Sequence, residues 1–225
     1  MAAHAIASRR MSGPERYEVP PERLERWLER WAERHGEVRG TRIGPERVTV
    51  EAAGGAVLDC DPPFPPLAAE AGGTYEGLHV APLLEHVRRE RVAGVLLVRL
   101  GGHAAGVFAG RRLVDSKVGS RLVHGRHKKG GSSQRRFERR RGEQSRMALE
   151  AAADVAARVL LPHRADLDAL VLGGDRHALA EVLRDPRLRP LGRLVVEGVL
   201  DVPDPRLAVL RSMPDRFLAT RLTVR

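Results

Sequence analysis

The short apolar run from Val92 to Val98 is the sequence feature that most limits the folds this chain can adopt. It is rich in β-branched side chains and too short to cross a bilayer, so it predicts a central strand of a sheet and no membrane segment. Two segments punctuated by glycine follow it, HAAGVFAG and RRLVDSKVG. Together the three segments predict an antiparallel meander.

A long helix and a strand–helix alternation follow the meander. The helix is predicted from Phe137 to about Leu161, with one face marked by apolar residues that step by four. These residues are Met147, Ala151, Val155 and Val159. The segment LDALVLGGD then predicts a buried strand that turns into a helix, and GRLVVEGVL predicts another strand. This order predicts an α/β (α+β) fold in which helices pack on a mixed β-sheet.

The N-terminal third predicts a smaller elaboration. Pro20 opens an amphipathic helix that ends at Gly36, and the stretch from Arg47 to Asp59 alternates about a Gly-Gly pair, as in a β-hairpin. We therefore divide the chain into four parts. They are a loose N-terminus at 1–19, a helix and hairpin elaboration at 20–90, a core at 91–213 with a loop at 122–136, and a C-terminal strand or tail at 214–225.

The positive charge of the chain is concentrated in one segment. The net charge is +10, and the stretch from Arg111 to Arg146 holds thirteen Lys and Arg against three acidic residues, which accounts for the whole excess. A localised charge of this kind is typical of a surface that binds a polyanion. We therefore expect a nucleic-acid partner.

Several classes of protein are disfavoured by what the chain lacks. Cys60 is the only cysteine, so a cysteine zinc centre and an internal disulfide are excluded. The first residues contain no continuous apolar stretch, so we expect no signal peptide and a cytoplasmic location. The predicted first strand carries no carboxylate for a two-metal nuclease, and no Gly-x-Ser-x-Gly elbow or phosphate-binding Gly-Lys-Ser/Thr is present.

The sharpest motif is the loop KKGGSSQ before the long helix. Gly130 and Gly131 permit backbone conformations that side chains forbid. Gln134 offers one acceptor and two donors but no useful acid–base pKa, so it suits positioning of water or of a developing oxyanion. Basic residues flank it: Arg126, His127, Lys128, Lys129, Arg135, Arg136, Arg139, Arg140 and Arg141. Composition alone favours the simpler interpretation of a flexible basic loop that anchors on RNA.

The order of three strands, a basic Gly-Gly…Gln loop and a long helix resembles the central domain of the archaeal and eukaryotic class-one release factors. Phe137, Arg139 and Arg141 match a Phe-x-Arg-x-Arg run in that family, and LDALVLGGDRHALAEVL resembles its next strand-turn-helix. Two serines separate Gly131 from Gln134, and this longer loop is similar to that of the Vms-like release factors (VLRF), which include compact actinobacterial members. The resemblance covers roughly residues 90–201.

The resemblance implies a release-factor central-domain (ribonuclease-H-like) core and hydrolysis of peptidyl-tRNA on stalled ribosomes or large subunits. Gln134 would be the catalytic residue, Gly130 and Gly131 would fit the loop into the catalytic centre, and Ser132 and Ser133 would shape it. The implied partners are large-subunit rRNA and peptidyl-tRNA, whose phosphates the flanking cations would hold. We expect no metal, no nucleotide cofactor and no reading of the codon.

Two alternatives stay open at this point. The first is an endonuclease that cuts the tRNA near its 3′ CCA end, because eukaryotic Vms-like relatives have been linked to such cleavage and Arg and His could support it without metal. The second is a rescue adaptor that binds rRNA without catalysis.

Overall fold

The computed structural model describes residues 13–68, 72–99, 101–120 and 133–225, with the backbone alone for 133–141. The chain forms two compact units. One combines the N-terminal part up to Arg89 with Leu218–Arg225, and the other is continuous from Glu90 to Phe217. None of the described helices combines the length and the apolar composition needed to span a bilayer.

The first unit is built on a six-stranded antiparallel sheet with the strand order β1-β11-β4-β3-β2-β5. Its elements are β1 (Glu15–Val19), α1 (Pro21–His35), β2 (Val38–Ile43), β3 (Val48–Ala52), β4 (Val57–Asp61), β5 (Gly73–Glu76), α2 (Ala81–Arg88) and β11 (Thr220–Val224). One face of the sheet and the two helices bury a common core. The predicted helix after Pro20 is confirmed as α1, and the predicted hairpin is confirmed as β3 and β4.

The amphipathic pattern of α1 explains how this helix packs into the core of the first unit. Its buried residues, Leu24, Leu28 and Trp31, share one face and pack into the core. Gly36 ends the helix with a positive φ of 82°, a conformation that favours glycine.

Residues 15–19 form β1, although we expected a loose terminus there. β1 pairs with β11 from Glu15 opposite Val224 to Val19 opposite Thr220. A partner so distant in sequence leaves no local signal, which explains why the pattern of residues 1–19 alone did not predict a strand.

The second unit is built on a five-stranded mixed sheet with the order β10-β9-β6-β7-β8. Its elements are β6 (Val92–Arg99), β7 (Gly102–Ala109), β8 (Arg112–Ser120), α3 (Ser133–Leu160), β9 (Ala169–Gly174), α4 (Arg176–Leu183), β10 (Val195–Leu200), α5 (Leu207–Arg211) and α6 (Pro214–Phe217). The meander of β6, β7 and β8 is antiparallel, whereas β9 is parallel to β6 and β10 is parallel to β9. The predicted mixed sheet with packed helices is confirmed.

Helices cover both faces of this sheet. On one face, α3 and α4 pack against Leu96, Val98 and Val107. On the other, Leu210 of α5 lies against Gly106, and the rings of Phe108 and Phe217 meet at 5.6 Å. Double coverage explains why β6 and β7 are buried along nearly their whole length.

The buried face of α3 differs from the predicted one. Met147 is 49% exposed, and Val159 is the only fully buried residue of the predicted stripe. The helix instead packs through a set of mostly small residues, namely Ala152, Ala153, Ala156, Val159 and Leu160. Alanine lets the helix axis approach the sheet closely, and burial of the two larger side chains contributes about 1.5–3 kcal/mol each. The predicted stripe is therefore confirmed at Val155 and Val159, which pack in the core, and wrong at Met147.

Candidate functional site

The ends of the basic loop are set by the second unit. β8 ends at Ser120, which pairs with Gly102, and α3 begins at Ser133. β8 therefore ends beside Gly102, the first residue of β7. The predicted site residues Arg126, His127, Lys128, Lys129, Gly130, Gly131 and Ser132 lie outside the described residues.

Helix α3 begins earlier than the sequence predicted. We expected the loop to continue through Gln134 and the helix to start near Phe137, but Ser133 and Gln134 already have helical backbone. The residues from Gln134 onward include neither Gly nor Pro until Gly142, and Gln, Arg and Glu are good helix formers. Gln134 thus lies in the first turn, where backbone N–H groups lack intrahelical acceptors and carry partial positive charge.

The predicted phosphate-binding arginines lie on the same helix as Gln134. Arg135, Arg136, Arg139, Arg140 and Arg141 all belong to its N-terminal part. Their backbone positions show a segment of high positive charge that begins directly at the end of the loop. The structure therefore brings the predicted glutamine and these cations together on one element.

Helix α3 separates this segment, along its axis, from the buried residues of the same helix. The helix has 28 residues, a length of about 42 Å at 1.5 Å per residue. Ala152, its first fully buried residue in the described part of the helix, comes eighteen residues after Gln134, a rise of about 27 Å. Gly142, Glu143 and Arg146 are exposed. The buried residues in the described part of α3 thus lie in its C-terminal half, which is the anchor.

A network of charged side chains ties the anchored half to the rest of the unit. The Arg187 guanidinium donates to Asp154 of α3 at 2.7 Å and to Asp185 at 2.7 Å. Hydrogen bonds from Arg187 hold the pKa of the Asp185 carboxyl below its ordinary value. Arg187 and Asp154 are both exposed, so their ion pair contributes little to the stability of the fold.

A cleft at the carboxyl ends of β6 and β9 lies between α3 and α4, and we name it the α3–α4 cleft. Its volume is about 260 Å³. Its lining includes Val98, His103, Ser145, Leu149, His177 and Ala178. The sequence did not predict this cleft, because its walls come from segments far apart in the chain and no local motif marks them.

Carboxylates near the cleft have structural partners. Asp175 caps α4 by accepting a hydrogen bond from the backbone N–H of Ala178 at 2.8 Å. β6 ends in Arg99 rather than in an acid. Within the part of the chain that the structure describes, no group of three His, Cys, Asp or Glu is placed to hold a metal ion.

Cys60 belongs to the core of the first unit and is fully buried. Burial raises the pKa of its thiol far above the ordinary value, with a further contribution from Asp59. The side chain therefore stays a neutral thiol and acts as a small apolar residue.

The sequence model of the Actinobacteria/chloroflexi VLRF1 release factor family matches residues 91–223, which is more than half of the chain. The chain belongs to the VLRF1 release factor family. The VLRF1 match begins just before β6 and includes the basic loop and all of α3. It confirms the resemblance to the Vms-like release factors that the motif order predicted.

The chain is also similar, at low sequence identity, to archaeal proteins. The chain is 25% identical over 124 residues to peptide chain release factor subunit 1 of Archaeoglobus fulgidus, a match over 55% of this chain but only 30% of the relative. The solved archaeal translation termination factor aRF1 is 14% identical, with a TM-score of 0.39 over 89% of this chain and 73% of that one. Archaeoglobus fulgidus Pelota is 12% identical, with a TM-score of 0.30 over 92% and 64%.

Proposed function

We propose that the chain is a ribosome-associated release factor that hydrolyses the ester of peptidyl-tRNA and frees nascent chains from stalled ribosomes or large subunits. One observation carries the proposal: the motif Gly-Gly-Ser-Ser-Gln runs directly into the first turn of a long helix whose opposite half is anchored in a core. Membership of a release-factor family supports a role in peptide release.

The chemistry proposed for Gln134 follows from its amide. The amide has donors and an acceptor but does not take up or release protons near neutral pH. It would orient a water molecule or the reacting 3′ end and would stabilise the developing oxyanion. The partial positive charge of the first helical turn favours an anionic group in the same place. Proton transfer would therefore be left to the substrate and the ribosome, so the free protein should be a poor hydrolase.

The remaining motif residues have positioning roles in this proposal. Gly130 and Gly131 allow close approach to the catalytic centre, and Ser132 and Ser133 set the spacing between the glycines and Gln134. The flanking cations neutralise phosphates of large-subunit rRNA and of the tRNA, which fixes the orientation of the helix. A protein that acts on ribosomes in this way belongs in the cytoplasm.

The decisive experiment uses isolated complexes of peptidyl-tRNA with the large subunit. The complexes are incubated with the protein, released peptide is measured, and the 3′ end of the released tRNA is sequenced. Peptide release with an intact CCA end is the expected result, because ester hydrolysis leaves the tRNA unbroken. A shortened 3′ end would replace the proposal with endonuclease activity. Stable binding without any release would replace it with a non-catalytic adaptor.

A further inference from the structure

The α3–α4 cleft is a feature that the proposed release chemistry does not use. Apolar walls come from Val98 of β6, Leu149 of α3 and Ala178 of α4. Its polar side chains include Ser145 on α3 and His177 on α4, together with His103, which is buried with an exposure of 5%. Arg99, Asp175 and Glu181 complete the polar part of the lining. Apolar walls with a few placed polar groups are typical of small-molecule sites.

The size and shape of the cleft limit what it can hold. Its volume of about 260 Å³ lies just below the range of about 300–1,000 Å³ for drug-sized ligands, so the ligand is a single small ring system. A planar heterocycle matches both the apolar walls and the polar side chains of the lining. Its faces pack on the apolar walls, and its edge meets the hydroxyl of Ser145 and the imidazole of His177.

The charges around the cleft disfavour an anion. Arg99, the nearest arginine in the lining, lies 3.5 Å from Asp201. Two carboxylates, those of Asp175 and Glu181, also line the cleft. The lining therefore offers no excess positive charge for a phosphate, and a neutral ring is favoured.

The cleft also lies at the end of the sheet from which the basic loop departs. The ring of His103 lies over Gly119, since a Cβ at that glycine would be 2.3 Å from the His103 Nε2. Ser120, the next residue, is the last of β8. Along α3, Ser145 comes eleven residues after Gln134, a rise of about 17 Å. A ligand in the cleft thus lies at the end of the sheet where β8 ends, and beside the helix that carries Gln134.

We propose that the α3–α4 cleft binds one unpaired nucleobase of the RNA on which the protein acts. Unpaired bases present two apolar faces and a polar edge, the combination that the lining accommodates. The choice of RNA as the source of the base rests on the proposed release function. The recognition of a base by the cleft is a separate property, which can be measured without ribosomes.

The test is a titration of the isotope-labelled full chain followed by NMR of backbone amides. The probes are adenosine monophosphate, uridine monophosphate and, as a control without a base, ribose 5-phosphate. We expect the two nucleotides to shift amides of residues 98–103 and 175–181, and ribose 5-phosphate to leave them unchanged. Equal shifts with ribose 5-phosphate, or no shifts with either nucleotide, would overturn the proposal.

A matched pair of substitutions on α4 tests the location. Ala178→Leu fills the cleft, whereas Ala180→Leu makes the same change at an exposed position outside the lining. Nucleotide affinity should fall by about tenfold or more in the first, equivalent to about 1.4 kcal/mol, and stay unchanged in the second. Equal affinity in the two variants would place the base elsewhere and overturn the proposal.

A second pair covers the case in which Ala178→Leu does not fold. His177→Ala removes a polar group from the lining, and His163→Ala removes a histidine that lies outside the cleft, 3.7 Å from Asp115. Affinity should drop only for His177→Ala, and equal losses would contradict the site. Failure of base binding with normal peptide release would leave the release function standing, whereas the reverse result would overturn release alone.

Discussion

At the scale of single residues, the proposed chemistry depends on Gln134, an uncharged amide. Its backbone lies at the start of a helix, a rigid element, and not in a free loop as the sequence suggested. A rigid carrier matters because water-mediated chemistry depends on small displacements of the positioning group. The side chain therefore contributes orientation, and its loss should affect rate and not affinity.

We predict that Gln134→Ala lowers the rate of peptide release by about 100-fold or more, the cost typical of a lost oxyanion-stabilising amide. Ribosome binding should be nearly unchanged, because binding rests on many cations. Gln144→Ala is the matched control, since Gln144 lies on the same helix ten residues later and is half-buried. Release and ribosome co-sedimentation are measured for both variants, and normal release by Gln134→Ala would refute its catalytic assignment.

Substitution by alanine should have different effects at Gly131 and at Gly174: the first should impair peptide release, and the second should lower the stability of the fold. Gly131→Ala should impair release without lowering the melting temperature, because its proposed role is the fit of the loop. Gly174 has a φ of 109°, and a Cβ there would lie 2.1 Å from the carbonyl oxygen of Val98. Gly174→Ala should therefore lower the free energy of unfolding by about 2 kcal/mol or more.

Thermal and denaturant unfolding, run beside the release assay, separate the two effects. A large drop in melting temperature for Gly131→Ala would instead identify that glycine as structural. An unchanged stability for Gly174→Ala would contradict the close packing of β9 against β6.

At the scale of secondary-structure elements, α3 joins the proposed chemistry to the core. Most of the positively charged residues of α3 lie in its N-terminal part, whereas the alanines of its C-terminal half pack in the core of the second unit. The two roles are separated along one helix. Charge can therefore be changed at one end without disturbing the buried contacts at the other.

We predict that reversing Arg139, Arg140 and Arg141 to Glu weakens ribosome binding far more than reversing Arg23, Arg26 and Arg30 of α1. The arginines of α1 share their helix with Glu22, Glu25 and Glu29, which cancel their field locally. Each RNA phosphate that α3 no longer neutralises should also reduce the slope of log affinity against log salt by about 0.7–0.9.

Binding measured across a salt series decides this prediction. Similar losses in the two triple variants, or a flat salt response of the parent protein, would remove the electrostatic argument. Circular dichroism of each variant checks that α1 and α3 stay folded.

Elements with strong local patterns could be predicted from the sequence, whereas features set by distant contacts could not. The apolar run of β6 and the glycine turns after it predicted the meander, and the amphipathic pattern predicted α1. The buried face of α3 was predicted only in part, because the spacing of four included the exposed Met147 and left out the buried Ala152 and Ala156. The start of α3 was predicted too late, because the two glycines and two serines extended the expected loop as far as Gln134, although Gln and Arg are good helix formers.

The candidate site also contains one part that a local sequence motif identifies and another part that only the folded structure brings together. The loop motif and the cations are contiguous in sequence, so their placement around the start of α3 could be anticipated. The α3–α4 cleft could not, because His103, Ser145 and His177 meet only after β7, α3 and α4 have packed. Such residues carry no shared local pattern.

At the scale of the whole molecule, the chain returns to its first unit to complete a sheet. β11 lies between β1 and β4. Directly after β11, the backbones of Arg225 and Val57 form two hydrogen bonds, in which each N–H donates to the carbonyl of the other residue, at 2.9 and 2.8 Å. Asp59, buried on β4, also accepts a hydrogen bond from the Arg225 guanidinium. The first unit therefore depends on residues that follow the entire second unit.

We predict that Leu222→Asn destabilises the first unit selectively. Leu222 is 1% exposed, so the change buries a polar amide among apolar side chains that cannot form hydrogen bonds with it. The control Arg221→Asn alters the neighbouring, exposed position of the same strand. Hydrogen exchange should show lost protection in β1 and β4 but intact protection in β6 and β9. Equal loss in both units would show that they unfold together.

The position of β11 has a consequence for the biosynthesis of the protein itself. Asp61 ends β4 and Thr220 begins β11, 159 residues later. At about 5–20 residues per second, this interval lasts about 8–30 s, during which β1 and β4 lack their partner. The continuous unit from Glu90 to Phe217 has by then been synthesised in full. The usual order, in which the part nearest the N-terminus matures first as the chain emerges, is thus reversed. Until β11 has emerged, the growing polypeptide carries β1 and β4 with unpaired strand edges.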